Sequence, residues 1–234
     1  MSQEQSKPKQ NNVFLELIFN IAIPSLILMK LSGDEYLGTV NGLIVALMFP
    51  LGYGIYDFAK SKSLNFFSLL GFLSTLLTGG IGLFELDVEW LAIKEAAIPG
   101  VIGFVVLISG FWGKPLIAKI LLNPTLFKLD LIYQTLAERN STDLFRRKVN
   151  RANHLLAASF AFSSVMNYVL AKWIVTSPAG TVEFNEQLGE MTALSYPVIA
   201  IPSTIMLIAI MFYVVKSITK TTGLKFEQIM HAEQ

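Results

Sequence analysis

The chain has 234 residues, of which 53% are hydrophobic and 15% are charged. Because soluble domains carry closer to a quarter charged residues, this composition is typical of a membrane protein. The net charge of +1 gives no case for a nucleic-acid partner, and a sequence without cysteine excludes disulfides, thiolate metal sites and cysteine nucleophiles.

Six apolar stretches predict an all-α, polytopic membrane protein with six transmembrane helices. An α-helix rises 1.5 Å per residue and the hydrocarbon core of a bilayer is about 30 Å thick, so about twenty apolar residues cross it. No small-residue cleavage site follows the first apolar run, so the polar residues 1–12 are predicted to be a retained tail rather than part of a signal peptide. The predicted spans are residues 13–31, 36–59, 64–84, 90–112, 152–175 and 191–215.

The distribution of charge predicts which side of the membrane each segment occupies. Residues 13–112 hold helices 1–4 and residues 152–215 hold helices 5–6; between them lies the basic loop, residues 113–151, and residues 216–234 form a second tail. The tails, the turn after the second span and the basic loop hold fifteen of the eighteen Lys and Arg residues, whereas the opposite side holds nine acids. Since short cytoplasmic loops collect Lys and Arg, both termini and the basic loop are predicted to be cytoplasmic.

The basic loop is predicted to contain two amphipathic helices. The first would begin at Asn123 and Pro124, which are typical of an N-cap and a first helical position. The second would be capped by Ser141 and Thr142 and lead straight into the fifth span. The apolar face of the first helix is predicted to consist of Leu126, Leu129, Tyr133 and Leu136.

Four cations just before the fifth span form the predicted lipid-binding or partner-binding site. Juxtamembrane basic clusters attract anionic lipids by about 1 kcal/mol per charge. The alternative is that these residues only anchor the topology by extending to the lipid headgroups. The four residues are Arg146, Arg147, Lys148 and Arg151.

Polar residues inside the spans form a second candidate site, because ionisable groups within a membrane are costly and often mark function. Glu16 and Asn20 lie with Lys30 on one stripe of the first helix. Glu16 is one turn from the cytoplasmic edge, so it either joins a buried site or extends to the interface.

Whether Lys94 and Glu95 are buried in the membrane depends on where the fourth helix begins. If this helix begins at Trp90, both charges lie inside the outer leaflet and need partners. If it begins at Ala96, they only mark a charged helix start.

Asn167 completes the candidate intramembrane set, and with Ser159 and Ser163 it makes a small polar face on the fifth helix. A four-residue repeat of small residues occurs on the third helix at Gly71, Thr75 and Gly79. Both patterns are typical of close helix packing, and the alternative is a solute path lined by hydroxyl groups.

The tripeptide Ala-Ile-Pro recurs at residues 22–24, 97–99 and 200–202. The first and fourth helices run in opposite directions, as the inverted three-plus-three repeat of a transporter requires. The alternative is coincidence within apolar sequence.

Short motifs resemble landmarks of the intracellular septation protein A family of bacterial inner-membrane proteins: Thr-Gly-Gly at residues 78–80, Lys-Pro-Leu-Ile at 114–117 and Met-Asn-Tyr-Val-Leu-Ala at 166–171. The chain departs from that family in a longer basic loop and a longer outer loop over residues 177–190.

A fuller resemblance is to an uncharacterised bacterial multi-pass family, through residues 77–83, 92–99 and 184–202. These resemblances imply an inner-membrane protein of cell-envelope growth or division that acts through membrane partners.

The sequence contains no paired His and carboxylate spacing, hydroxyl-nucleophile motif or Gly-rich phosphate loop, so it predicts no catalytic, cofactor-binding or metal site. The leading hypothesis is a non-enzymatic membrane protein that engages anionic lipids, a second copy of itself or envelope-assembly proteins. The alternative is a small secondary transporter or permease, dimeric because six short helices enclose little volume. A third hypothesis, a lipid-acting enzyme, would need two acids facing one cavity. The transporter would use Glu16, Lys94, Glu95 and Asn167.

Overall fold

A computed structural model of the chain describes residue 15, residues 17–61 and residues 66–231. In these ranges the regular secondary structure is helical, apart from an antiparallel bridge between Phe127 and Met230. The helices are α1 (Ile18–Leu31), α2 (Gly38–Ser61), α3 (Phe66–Leu83), α4 (Glu89–Phe111), α5 (Leu116–Leu121), α6 (Leu129–Glu138), α7 (Thr142–Ile174), α8 (Val182–Ser195), α9 (Ile201–Thr222) and α10 (Phe226–Ile229). A π-helical segment, Tyr196–Ala200, joins α8 directly to α9.

Four of the described helices are long and apolar enough to cross a membrane. They are α2 over Gly38–Tyr56, α4, α7, and α8 with α9 as one stretch, Val182–Thr222. Two shorter apolar helices, Ile18–Leu31 and Leu69–Leu83, accompany them. The four long helices indicate a membrane-embedded protein and confirm the predicted all-α class; the count of six crossings stays a prediction.

Several predicted element boundaries agree closely with the structure. The helices α2, α3 and α4 each begin and end within two residues of the second, third and fourth predicted spans. The second helix of the basic loop does lead into the fifth span without a break. Together they form α7, whose 33 residues make a rod about 50 Å long.

The helical stretch that contains the sixth predicted span, residues 191–215, begins before that span, at Val182. Residues 182–190 are too polar for a hydropathy window to include them. Within this helical segment Phe184, Asn185 and Leu188 point into the protein and are almost fully buried. The predicted outer loop over residues 177–190 is therefore mostly helix.

The described residues up to Lys94 and the segment Leu170–Ser195 form one compact unit, unit 1. Within it, α8 packs on α1 and α2, and α2 packs on α3. The α1–α8 approach is close, since a methyl group at Gly189 would come within 2.9 Å of the Ser25 carbonyl oxygen. A small residue at this position lets the two backbones meet.

The second compact unit, unit 2, comprises residues 95–169 and the described residues from Tyr196 onwards. Here most of the basic loop is folded around a core of its own rather than being an open connector. The core residues of unit 2, all less than a tenth exposed, include Ile117, Phe127, Ile132, Leu136, Phe145, Val149, Ile218 and Ile229.

The C-terminal segment closes the core of unit 2. The Lys128 amide donates to the Ile229 carbonyl at 2.9 Å, and the His231 amide donates to the Leu126 carbonyl at 3.0 Å. Ser141 Oγ donates to the Thr221 carbonyl at 3.1 Å. The end of α9, α10 and the basic loop are thus one folded piece.

The predicted start of the first loop helix is wrong. Asn123 Oδ1 accepts a hydrogen bond from the Thr125 amide at 2.8 Å, which makes a local turn, and α6 begins only at Leu129. The apolar face also differs, because Ile132 and Leu136 are buried whereas Tyr133 is half exposed. Turn formation by the Asn side chain competes with its capping of a helix.

Two of the three Ala-Ile-Pro tripeptides share a local structure. The π-helical segments Ile18–Ala22 and Tyr196–Ala200 each end at the Ala, and an α-helix with Pro near its N-terminus follows. Proline lacks an amide hydrogen and clashes with the preceding turn, which explains the local widening. The third copy, at Pro99, lies inside α4.

Candidate functional site

A buried cation of unit 1, Lys94, is bound by hydroxyl groups of α3. Lys94 is 8% exposed, and its Nζ donates to Thr78 Oγ1 at 2.7 Å and to Ser74 Oγ at 3.2 Å. The Ser74 carbonyl oxygen lies 3.4 Å from the same Nζ. Ser74 and Thr78 are one helical turn apart, so both face α4. We call Lys94, Ser74 and Thr78 the lysine nest.

The Thr78 hydroxyl is oriented to accept from Lys94. Its own hydrogen is donated to the Ser74 carbonyl at 3.0 Å, so its lone pairs are left for the ammonium group. A charged group removed from water is costly unless it is hydrogen-bonded in this way. The lysine nest is therefore a built polar site within an apolar helix pair.

The start of α4 explains why Lys94 is buried. Asp87 Oδ1 accepts from the Glu89 amide at 2.8 Å, and the Asp87 carbonyl accepts from the Trp90 amide at 3.0 Å. This cap starts the helix at Glu89, so Lys94 lies about 7.5 Å along the helix axis from that start. The interpretation in which the helix begins at Ala96 is wrong. Asp87, two residues before Glu89, is the feature of the sequence that could have indicated this helix start.

The other predicted intramembrane residues lie in different settings. Glu16 lies outside the described residues, and Asn20 is half-buried in the π-helical part of α1 within unit 1. Glu95, which is half-buried, belongs to unit 2 together with Asn167. The structure brings Lys94 together with Ser74 and Thr78, neither of which was predicted as a site residue.

The polar face around Asn167 serves helix packing. Asn167 Nδ2 donates to the Ser163 carbonyl of its own helix at 2.7 Å. Ser163 Oγ and Ser203 Oγ lie 2.8 Å apart and link α7 to α9. Ser164 Oγ donates to the Ala96 carbonyl at 2.8 Å and links α7 to α4. These contacts support the packing interpretation of this face.

The four predicted cations lie on the first three turns of α7 and form the basic face: Arg146, Arg147, Lys148 and Arg151. The three arginines are exposed and Lys148 is half-buried. At 100° per residue, Arg147, Lys148 and Arg151 fall within about 100° of one another. The opposite side of the helix buries Phe145, Val149, Ala152 and Leu156. The core thus fixes the helix and turns the basic face outward.

A buried amide that sequence reasoning missed holds α5 in place. Asn153, fully buried, accepts from the Ile117 amide at 3.2 Å and donates to the Val106 carbonyl at 2.6 Å. Ser109 Oγ accepts from the Leu116 amide at 3.1 Å. These side chains satisfy amides that the start of α5 leaves without a helical partner. The helix start after Pro115 was the signal that such acceptors were needed.

No protein-family model matches this chain, and neither a curated protein nor a solved structure matches it.

Proposed function

We propose that this chain is a non-enzymatic, six-helix protein of the bacterial inner membrane, with both termini in the cytoplasm. Its basic face binds anionic lipids or envelope-assembly partners at the cytoplasmic surface. The observation that carries the proposal is the outward-facing set of Arg146, Arg147 and Arg151 on α7, a helix that continues into a candidate membrane span.

The depth of the basic face supports this proposal. Trp173, near the end of α7, is 82% exposed, as expected for an aromatic residue at a membrane interface. Arg151 precedes Trp173 by 22 residues, or about 33 Å of helix. This length is close to the hydrocarbon thickness, so Arg151 lies at the level of the opposite headgroups.

The side of the membrane is supported by the charge distribution. The basic loop and the C-terminal segment bond to each other through Lys128 and Ile229, so they share one side. Together they hold most of the cations of the chain, which is typical of a cytoplasmic surface.

The test compares two variants with equal losses of charge in the purified full-length protein. The variant R146Q/R147Q/K148Q/R151Q removes the basic face, and K128Q/R139Q/K220Q/K225Q removes four cations elsewhere. Binding of phosphatidylglycerol and of phosphatidylcholine is measured by native mass spectrometry. We expect only the first variant to lose its preference for phosphatidylglycerol, because each exposed cation contributes about 1 kcal/mol near an anionic surface. An unchanged preference would exclude lipid binding by this face.

A second candidate function, a small secondary transporter or permease, is favoured by the burial of Lys94 within α4. Intramembrane charges held by polar groups are typical of ion and substrate pathways. The test is complementation of a deletion strain under salt and pH stress by K94Q and E95Q. Loss of complementation at wild-type expression supports transport, and full complementation by both variants removes the main support for it.

A further inference from the structure

The basic face of α7 is one part of a larger arrangement within unit 2. Cations on two other elements, Lys114 after α4 and Lys216 on α9, are also exposed. Whether they lie at the same height as the basic face follows from the contacts that set the register of the helices.

The α4–α7 register places Lys114 beside the basic face. Ser164 bonds to Ala96, and Asn153 bonds to Val106 and Ser109, so the two helices run antiparallel in a constant register. The same register continues at the end of α4. A methyl group at Gly110 would come within 2.8 Å of Asn150 Oδ1.

The end of α4 keeps Lys114 at this level. Gly113 has a φ of 69°, and the Lys114 amide donates back to the Ser109 carbonyl at 3.0 Å. This left-handed cap folds the chain over the helix end. Lys114 therefore lies beside the turns of α7 that carry Arg147 and Arg151.

The α7–α9 register places Lys216 at the same height. Ser163 bonds to Ser203 and Ser141 bonds to Thr221, so these helices also run antiparallel. Interpolation between the two bonds sets Lys216 level with Arg147. Three elements thus bring cations to one level of unit 2, and we call this set the cation belt: Lys114, Arg146, Arg147, Lys148, Arg151 and Lys216.

Exposed apolar residues lie within about one turn of the belt cations, toward the apolar part of each element. Trp112 is 78% exposed and precedes Lys114, and Phe212 is 71% exposed and precedes Lys216 by one turn. On α7, which runs in the opposite direction, Leu155 is 44% exposed and follows Arg151 by one turn. Apolar and aromatic groups next to cations are typical of the boundary between acyl chains and headgroups.

We propose that the cation belt is a phosphate-binding site for anionic lipids around unit 2, with Lys114 and Lys216 as headgroup-binding residues. This inference rests on the proposed function and narrows its partner to lipid. An acidic protein or a nucleic acid would use the cations but would leave Trp112 and Phe212 exposed to water. A lipid uses both, since its phosphate meets the cations and its chains cover the apolar residues.

The experiment titrates the full-length protein in detergent with phosphatidylglycerol and with phosphatidylcholine of identical chains, using native mass spectrometry. The variant K114Q/K216Q removes the two belt lysines outside α7. The control K220Q/K225Q removes two exposed lysines that lie one or more turns beyond the belt. The variant K114R/K216R keeps the charge.

Each belt lysine should contribute about 5-fold to the binding of a lipid beside it, so we expect K114Q/K216Q to bind phosphatidylglycerol at least about 5-fold more weakly, with phosphatidylcholine binding unchanged. The control and K114R/K216R should stay within about 2-fold of the wild type. Wild-type affinity in K114Q/K216Q, with weak binding in the α7 variant R146Q/R147Q/K148Q/R151Q, overturns the belt and leaves the proposed function standing. Wild-type affinity in both variants would overturn the cation belt and the proposed function together. An equal loss in the control shows unspecific attraction and also overturns the belt.

Discussion

The lysine nest of unit 1 holds a buried positive charge, whereas the basic face of unit 2 presents exposed positive charges. Lys94 is buried, and Thr78 and Ser74 of another helix hold its ammonium group. The arginines of the basic face are exposed, and the helix under them is fixed by its apolar side. Loss of an oxygen ligand should therefore affect stability in the first region, whereas loss of a cation should affect binding in the second.

The largest effect should come from T78V, which keeps the shape of the side chain and removes the hydroxyl group closest to Lys94. Hydrogen bonds to charged groups contribute about 1.5–3 kcal/mol, so we expect a loss of about 2 kcal/mol in the free energy of unfolding. The measurement is reversible unfolding in mixed micelles titrated with dodecyl sulfate.

The matched control is T75V on the same helix, where the hydroxyl donates only within α3, to the Gly71 carbonyl at 3.0 Å. It should change the free energy of unfolding by less than about 0.5 kcal/mol. Equal losses in T75V and T78V would show that the nest contributes nothing beyond the intrahelical bond.

Salt should weaken lipid binding at the basic face and leave the stability contributed by the lysine nest unchanged. Exposed charges are screened over about 10 Å at 0.1 M salt and over about 3 Å at 1 M, whereas buried groups are screened much less. We expect phosphatidylglycerol binding to fall several-fold between 0.05 and 0.5 M sodium chloride. The stability difference between wild type and T78V should stay constant over the same range. A salt-independent lipid affinity would mean that the basic face does not carry the binding.

The smallest effect should be that of R147Q/R151Q on stability. Both side chains are exposed on the outward side of α7, so their loss should change the free energy of unfolding by less than about 0.5 kcal/mol. Unfolding in the same mixed micelles checks this. A loss similar to that of T78V would mean that the arginines are structural.

Much of the fold could be predicted from composition and hydropathy. The bounds of α2, α3 and α4 follow from apolar runs ended by charged or turn residues, and α7 begins where Ser141 and Thr142 indicated. Hydropathy failed at the start of α8, because Phe184 and Leu188 are buried there among polar and acidic residues that lower the average. A window average cannot detect a helix that buries only one face.

The candidate sites were predictable only in part. The basic face is a run of adjacent cations and is visible without a structure. In the lysine nest, Lys94 of α4 bonds to residues of α3 that precede it by 16 and 20 positions. Asn153 bonds to Ile117 and Val106, which precede it by 36 and 47 positions. Such pairings are set by helix packing, for which Ser74, Thr78 and Asn153 carry no local signal. Only Lys94 could be suspected, because of its charge.

The central claim is that the basic loop faces the cytoplasm, and single-cysteine labelling tests it most directly because the natural chain contains no cysteine. The positions are T125C in the basic loop and D34C in the turn between α1 and α2, both at exposed residues. With a membrane-impermeant maleimide on intact cells, D34C should react, and T125C should react only after permeabilisation. Labelling of T125C in intact cells, with D34C protected, would contradict the account.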